Sequence, residues 1–578
     1  MELVMFKKYG ILSSVAVFAL ANLSGLPAVS AQELDRVTQG IGDQTPDRVT
    51  LKPRSDLSVS TDETELLPSL NGVVIVNSPS DVSTVSSGNG GVEVRGEFAP
   101  SQVVGAANNY IGQPVSLASL DRLTRDMVLA FRSAGYPVVN VVVPPQDITG
   151  GIVQVIAVVG RFEELKISGT TEDPDYYSSG FPLQPGDIVS QNKVIDHLRW
   201  KGRRFHRQVN AIYEPGSSFG KTNIELDAHD SRRWTVFAGV DNTGTGATGD
   251  LRIFGGFTIG DFIAQDHEFS YQLSTSEDGF DNLQAHVASY TFPIFSRTDF
   301  QIAGAVIESG ATLATGESDG TNFQISGNFT TQLPTFSNIS TDLRYGYEYK
   351  NADNTFAFGG TPAAGNETEL GQFYAQLVGY RVSAKSSTQF DIGLWASPED
   401  TFNNNSDDAF NGTREGAEAS YAYVRGGIDH TFFLAHDWRF NIDIEGQVTG
   451  NRLITSEQIF IGGFNSVRGF EENALRGDSG ILASVQLETA SYQLFSRSSE
   501  TFKDGIRGLA FLDFGSVTVS DAEVAGDDTG TLTSVGVGFT YQADRHFTAE
   551  GSFGIPINDS GDIGSDDGQF NFRLIARF

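Results

Sequence analysis

From Trp234 onward the chain is a succession of segments about ten residues long in which apolar and polar side chains alternate. Clusters of Gly, Asn, Asp and Ser break the segments apart. Successive side chains of a β-strand point to opposite faces, so each segment predicts a strand with one apolar and one polar face. The clearest has Trp438, Phe440, Ile442, Ile444, Gly446 and Val448 on one side and Arg439, Asn441, Asp443, Glu445 and Gln447 on the other. A soluble sandwich would bury its inner face dry, whereas five consecutive polar positions suit a water-filled lumen with the apolar set turned to lipid. Such segments begin near residues 234, 250, 266, 281, 299, 321, 339, 369, 388, 417, 438, 481, 507, 531, 546 and 570. That even number predicts a 16-stranded antiparallel transmembrane β-barrel over residues 232–578.

The pattern upstream is different. Between residues 71 and 230 strands alternate with amphipathic helices in two copies of one small α+β unit, placed at 70–161 and 162–231. In the first copy Ser116 precedes a helix carrying Leu120, Leu123, Met127 and Phe131 at three- and four-residue steps, with Gly135 as its stop. A hairpin over 138–143 and 152–159 follows. The second copy reads as a strand over 162–167, a helix after Ser190 with Val194, Ile195 and Leu198, and strands over 205–213 and 222–229. Residues 32–69 are polar and rich in turn formers, a flexible leader with room for one short plug helix over 33–39. At the start, Lys7-Lys8, an apolar run over 11–23 and Val29-Ser30-Ala31 form a signal peptide of residues 1–31, cut after Ala31.

Composition narrows the chemistry. The absence of cysteine from an exported chain excludes a disulfide framework, a thiol nucleophile and a cysteine-ligated metal. With 39 basic against 72 acidic residues the net charge is -33, the wrong sign for neutralising nucleic-acid phosphates. None of the eight histidines forms a His-x-x-x-His or His-Glu-x-x-His pair, and there is neither a Gly-x-Ser-x-Gly elbow nor a phosphate-binding loop. Neither catalysis, cofactor nor metal is expected. The acidic pairs Asp407-Asp408, Asp527-Asp528 and Asp566-Asp567 read as solvated loop tips.

One stretch fits neither strand nor exposed loop. Residues 459–480 (IFIGGFNSVRGFEENALRGDSG) are too glycine-rich for a strand and too apolar at Phe460, Phe464, Val467 and Phe470 to lie in water, so they are expected to fold inward. Their Arg468, set among Val467, Gly469 and Phe470, calls for a carboxylate partner. Further on, alternation puts Phe511, Asp513 and Gly515 on the lumen face, because a charge on the lipid face at mid-depth costs about 2–4 kcal/mol. In the last strand Phe570, Phe572, Leu574, Ala576 and Phe578 share the lipid face.

Val467-Arg468-Gly469-Phe470 followed by Phe511-x-Asp513-x-Gly515 resembles the paired motifs of the outer-membrane-protein assembly and two-partner secretion superfamily. There, the arginine loop folds back into the barrel and pairs with the strand aspartate. The two upstream units resemble polypeptide-transport-associated (POTRA) domains. Tyr110-Ile111-Gly112-Gln113-Pro114, Pro145-Gln146-Asp147-Ile148 with Gly151, and Asp241-Asn242-x-Gly244 resemble the secretion branch, the haemolysin activation/secretion (TpsB; ShlB/FhaC/HecB) type.

The resemblance implies two periplasmic POTRA domains on an outer-membrane pore that exports a secreted, β-rich exoprotein. It implies a loop-to-barrel lock made of Val467, Arg468, Gly469, Phe470, Phe511, Asp513 and Gly515. Capture of the exoprotein is expected in a groove of the first POTRA domain along Leu120, Leu123, Met127, Phe131, Val139 and Val141. The terminal strand, with Phe570, Phe572, Leu574 and Phe578, resembles the signal read by the barrel-assembly machinery during insertion. Outer-membrane lipid is then a further partner, and nucleic acid is not. A barrel-assembly factor is the alternative within the superfamily, although such factors often carry more than two soluble domains. A plain diffusion porin is the alternative from another class.

Overall fold

The computed structural model describes residues 60–83, 90–245, 248–313, 316–358, 361–495, 502–521, 530–558 and 568–578. The signal over 1–31, the short helix over 33–39, and the Asp527-Asp528 and Asp566-Asp567 pairs lie outside the described residues. Two compact units divide at Ser231 and Arg232.

The first domain of the N-terminal unit is built on β1 (Gly72–Val76), β2 (Gly91–Val94), β3 (Val139–Val142) and β4 (Ile152–Val159), in the order β2-β1-β4-β3. Strand β1 runs parallel to both β2 and β4, and β3 pairs antiparallel with β4. The helix Leu117–Ser133 starts where Ser116 and Ser119 exchange side-chain-to-backbone hydrogen bonds, and it stops at Gly135, whose φ of 91° a side chain would resist. Its stripe of Leu120, Leu123, Met127 and Phe131 lies on Val73, Ile75, Val153 and Val155 of the sheet. Each fully buried member contributes about 1.5–3 kcal/mol.

Sequence periodicity leaves out four features of this domain. Strands β1 and β2 and the helix Ser101–Asn108 precede Tyr110, so Leu117–Ser133 is the second helix of the domain. Residues 60–69 belong to its surface rather than to a free leader. Leu66 and Leu67 donate to the Val115 carbonyl, and Glu63 pairs with Arg122 at 2.6 Å. Docking through backbone and ion pairs leaves no apolar period to read.

The second domain has β5 (Arg161–Thr170), β6 (Arg207–Pro215) and β7 (Lys221–Asp230) in the order β5-β7-β6, with the helix Gln191–Lys201 packed on it. Leu198, Ile224, Leu226 and Tyr177 form its core. Tyr177 is supplied by a short helix, Pro174–Ser178, capped by Asp173 and too brief to show periodicity.

The barrel consists of β8 (Trp234–Asp241), β9 (Arg252–Gly260), β10 (Glu268–Ser276), β11 (Gly279–Phe295), β12 (Thr298–Leu313), β13 (Gly316–Gln332), β14 (Ser340–Phe358), β15 (Thr361–Val382), β16 (Ser386–Ser397), β17 (Tyr421–Phe433) and β18 (Arg439–Thr449). After two short strands, β19 (Ile459–Ile461) and β20 (Leu475–Gly477), it continues with β21 (Ser479–Glu488), β22 (Asp504–Thr518), β23 (Gly530–Ala543), β24 (Phe547–Pro556) and β25 (Gln569–Arg577). With β19 and β20 set apart as a separate hairpin, the sixteen others form one closed barrel in which β25 pairs with β8. Each expected strand is present and in order. The expected starts at 321 and 369 come late, because β12 to β15 run for 16 to 22 residues where about 9–11 suffice to cross the bilayer.

The outward side chains Ile392, Leu394, Val448, Val537 and Phe570 are half-exposed or more. Apolar surface on that scale is unfavourable in water and matches lipid. No described helix is long and apolar enough to cross a membrane.

Candidate functional site

The connection from β18 to β21 returns into the lumen. Sequence reasoning expects no strand within 459–480, yet Ile459–Ile461 and Leu475–Gly477 pair antiparallel and β21 already starts at Ser479. Gly462 and Gly463 make this possible: with φ of 104° and 105° they turn the chain sharply after Ile461, so that the following residues form a compact tip. Ile459, Ile461, Val467, Phe470 and Leu475 bury against Val517 of β22 and Leu532 of β23, which seats the loop on the barrel wall.

At the tip, Arg468 meets Asp513. Its Nε donates to Oδ2 at 2.7 Å and its Nη2 to Oδ1 at 2.8 Å, a two-pronged ion pair, while its backbone N–H reaches Oδ2 at 3.2 Å. Ser484 donates to Asp513 Oδ1 at 2.6 Å, and Arg468 Nη1 donates to Gln486 at 3.1 Å. The guanidinium lies 3.5 Å above the centre of the Phe511 ring, so Phe511 enters as a cation–π platform. Asp513 has no solvent exposure and the Arg468 side chain only 12%. The lumen is therefore not wet at this point.

Three glycines permit the close approach. Gly469 has φ of 98°, and a methyl group there would lie 2.7 Å from the Gly554 carbonyl carbon. One at Gly554 would lie 2.6 Å from the carbonyl carbon and oxygen of Arg468, and one at Gly515 would lie 2.8 Å from Val467. Ser484, Gln486 and Gly554 are absent from the sequence-based site. The only signal for Gly554 is a glycine inside a strand, which often marks close approach of another backbone.

The same tip reaches the closing seam. Arg573 of β25 lies 4.7 Å from the Phe464 ring centre and 3.3 Å from Asp241, which also caps Thr243. The seam's regular pairing ends at Asp241, and the Asn242 side chain prolongs it by bonding the Phe570 carbonyl at 2.8 Å and the Phe572 N–H at 2.7 Å. Asp241 and Asn242 thus serve closure. Phe570, Leu574 and Phe578 are exposed on the outer face, Phe572 half-buried.

In the first POTRA-type domain the expected groove is not where sequence put it. Leu120, Leu123, Met127, Phe131 and Val141 are core side chains and Val139 packs against them, so none presents a surface to a partner. The apolar stripe is consumed by the sheet beneath it. The sheet keeps two edge strands, β2 and β3; β3 is bonded on one side to β4, with Asn140 and Val142 exposed. The motif residues nearby support the fold. Gln146 bonds the backbone of Gln154 in both directions, and Tyr110 donates to Asp126 at 2.6 Å. Burial, then the Asp126 carboxylate, pushes the Tyr110 hydroxyl up to about 12.

A closed sixteen-stranded barrel with an arginine loop locked in its lumen, preceded by two small α+β domains, defines an outer-membrane transporter of the POTRA–barrel class. The model of the haemolysin secretion/activation protein family ShlB/FhaC/HecB matches residues 220–541, and that of the ShlB-type POTRA domain matches residues 90–160. The chain belongs to this family, whose members work in the outer membrane with their POTRA domains in the periplasm and secrete a partner exoprotein. Among curated proteins it is 24% identical over 436 residues to the outer membrane transporter CdiB-2 of Burkholderia pseudomallei, covering 71% of this chain and 69% of that one. It is 22% identical over 512 residues to the heme/hemopexin transporter protein HuxB of Haemophilus influenzae, covering 83% and 85%. The solved structures of CdiB from Escherichia coli and from Acinetobacter baumannii share the fold, with TM-scores of 0.64 and 0.58 at 17% and 16% identity. Each comparison covers 95% of this chain and 97% of the other.

Proposed function

We propose that the chain exports its exoprotein through the barrel lumen, with the loop around Arg468 as the gate and the open edge of β3 as the first point of capture. The observation that carries the gate is the Arg468–Asp513 pair, because it holds a folded segment inside the lumen by a few strong, geometrically specific contacts that cargo could displace. A diffusion porin has no need for such a plug. An unfolded, β-rich exoprotein would add its backbone to β3 as a further strand, its affinity coming from main-chain hydrogen bonds. The chain works by binding and passage, without catalysis, and draws on capture inside and folding of the cargo outside. It also engages outer-membrane lipid around its apolar band and the barrel-assembly machinery during biogenesis.

Two outcomes are expected. In pull-downs with residues 60–231, the partner exoprotein is retained, and a bulky charge at Val142 (Val142→Glu) reduces retention at least several-fold. Leu129→Glu, a substitution at an exposed helix position, does not. Equal retention by all three fragments would remove β3 as the capture edge. Deletion of Phe578, exposed at the end of the last lipid-facing strand, lowers the amount of heat-modifiable barrel in the outer membrane while residues 60–231 still fold. Unchanged barrel levels would exclude Phe578 from the insertion signal.

A further inference from the structure

The inward loop is tied to the barrel at its root as well as at its tip. Glu457, just ahead of β19, has no solvent exposure, and both of its oxygens are engaged by the wall. Oε1 accepts from Lys350 of β14 at 3.0 Å, and Oε2 accepts from the Tyr423 hydroxyl of β17 at 2.9 Å and from Gln372 of β15 at 3.0 Å. Lys350 lies 2.8 Å from Glu348, and Gln372 also donates to Glu348 at 2.8 Å. Around the barrel, β14 is six strands away from β22, which carries Asp513. The neck of the loop is gathered as well: Arg414 donates to the Leu453 carbonyl at one end and to Asp478 at the other.

We propose that Glu457 and Lys350 form a second lock, a positioning pair that holds the root of the loop on the β14–β17 wall while the tip docks on Asp513 or withdraws. Opening is then a swing of the tip about a fixed root, not expulsion of the whole loop. The asymmetry of burial supports this division. Arg468 keeps 12% exposure and one half of its pair can rehydrate as it leaves, whereas Lys350 and Glu457 are at 1% and 0%. Withdrawing Glu457 would take from the buried Lys350 one of its two carboxylate partners and strip the Tyr423 hydroxyl of its acceptor, and leaving buried donors unsatisfied is unfavourable. The proposal rests on the loop being the gate of this pore.

The test uses the full-length protein in planar bilayers and in whole cells treated from outside with trypsin, for which the loop offers Arg452, Arg468 and Arg476. Arg468→Ala is expected to raise conductance with the loop still protected. Glu457→Gln and Lys350→Met are expected to expose the loop to cleavage at least several-fold faster and to hold the pore in a long-lived open state. Unchanged protection in both single variants at normal barrel level would overturn the proposal. If Glu457→Gln does not assemble, Tyr423→Phe, which removes one hydrogen bond, should give a smaller change in the same direction, and no change there would overturn it equally. Unchanged conductance in Arg468→Ala would instead refute the gate, whatever the root variants do.

Discussion

Replacing Arg468 or Asp513 by alanine is expected to reduce exoprotein secretion about tenfold or more while leaving the barrel inserted, and the double replacement is expected to secrete about as well as either single one. The reason lies in the burial of the pair. A lumen read as wet would screen the charges, but Asp513 has no exposure and Arg468 little, so removing one partner carries the larger cost of an unpaired buried charge, about 3–5 kcal/mol. That loss falls on loop docking, because the apolar seat of Val467 and Phe470 and the strand ladders remain. Once either partner is gone the contact no longer exists, so the second replacement removes nothing more. Arg468→Lys should rescue poorly, since an ammonium cannot reproduce the two-pronged contact with Asp513 or the stacking on Phe511. Secretion measured across the four variants at equal levels of heat-modifiable barrel checks this. Losses that multiply would mean that the two residues act independently.

A comparable effect is expected at a residue that carries no charge. Gly554→Val should dislodge the tip, because its Cβ alone would stand 2.6 Å from the Arg468 carbonyl and the Gly554 position in β24 is fixed by the ladder. Valine suits a strand, so insertion should survive. The variant is expected to secrete as poorly as Arg468→Ala and to conduct like it. Gly304→Val is the control, since the nearest atom to a methyl group there is 3.5 Å away. Wild-type secretion by Gly554→Val would mean that the loop tolerates a shifted seat.

The contrast between Asp513 and Gly554 indicates what a sequence can disclose about this site. Asp513 is legible because strand alternation assigns its face and membrane energetics forbid the other one. Gly554 is not, because the constraint on it comes from the backbone of Arg468, remote in sequence, and leaves no periodic trace. The misplaced capture groove has a different origin. A stripe such as Leu123, Met127 and Phe131 announces that a helix face will be covered, and the nearest sheet of the same domain covers it before any partner can. An open edge such as β3 is set by which strands pair, and pairing order is a property of the fold. The barrel was readable strand by strand since each strand repeats the same local rule, and the starts strayed furthest where β13 and β15 extend past the bilayer.

The central claim, passage of the exoprotein through the lumen, is open to direct trial because the chain has no cysteine of its own. Asp443 and Ile444 are adjacent, exposed residues of β18 on opposite faces, Asp443 sharing the lumen side with Gln447, which bonds the loop at Glu457. With a cysteine placed at either position in otherwise native protein and the exoprotein stalled in transit, a thiol-directed crosslinker should join the cargo to the Asp443→Cys variant and not to the Ile444→Cys variant. Crosslinking at neither position, or only on the lipid side at Ile444, would contradict export through this barrel.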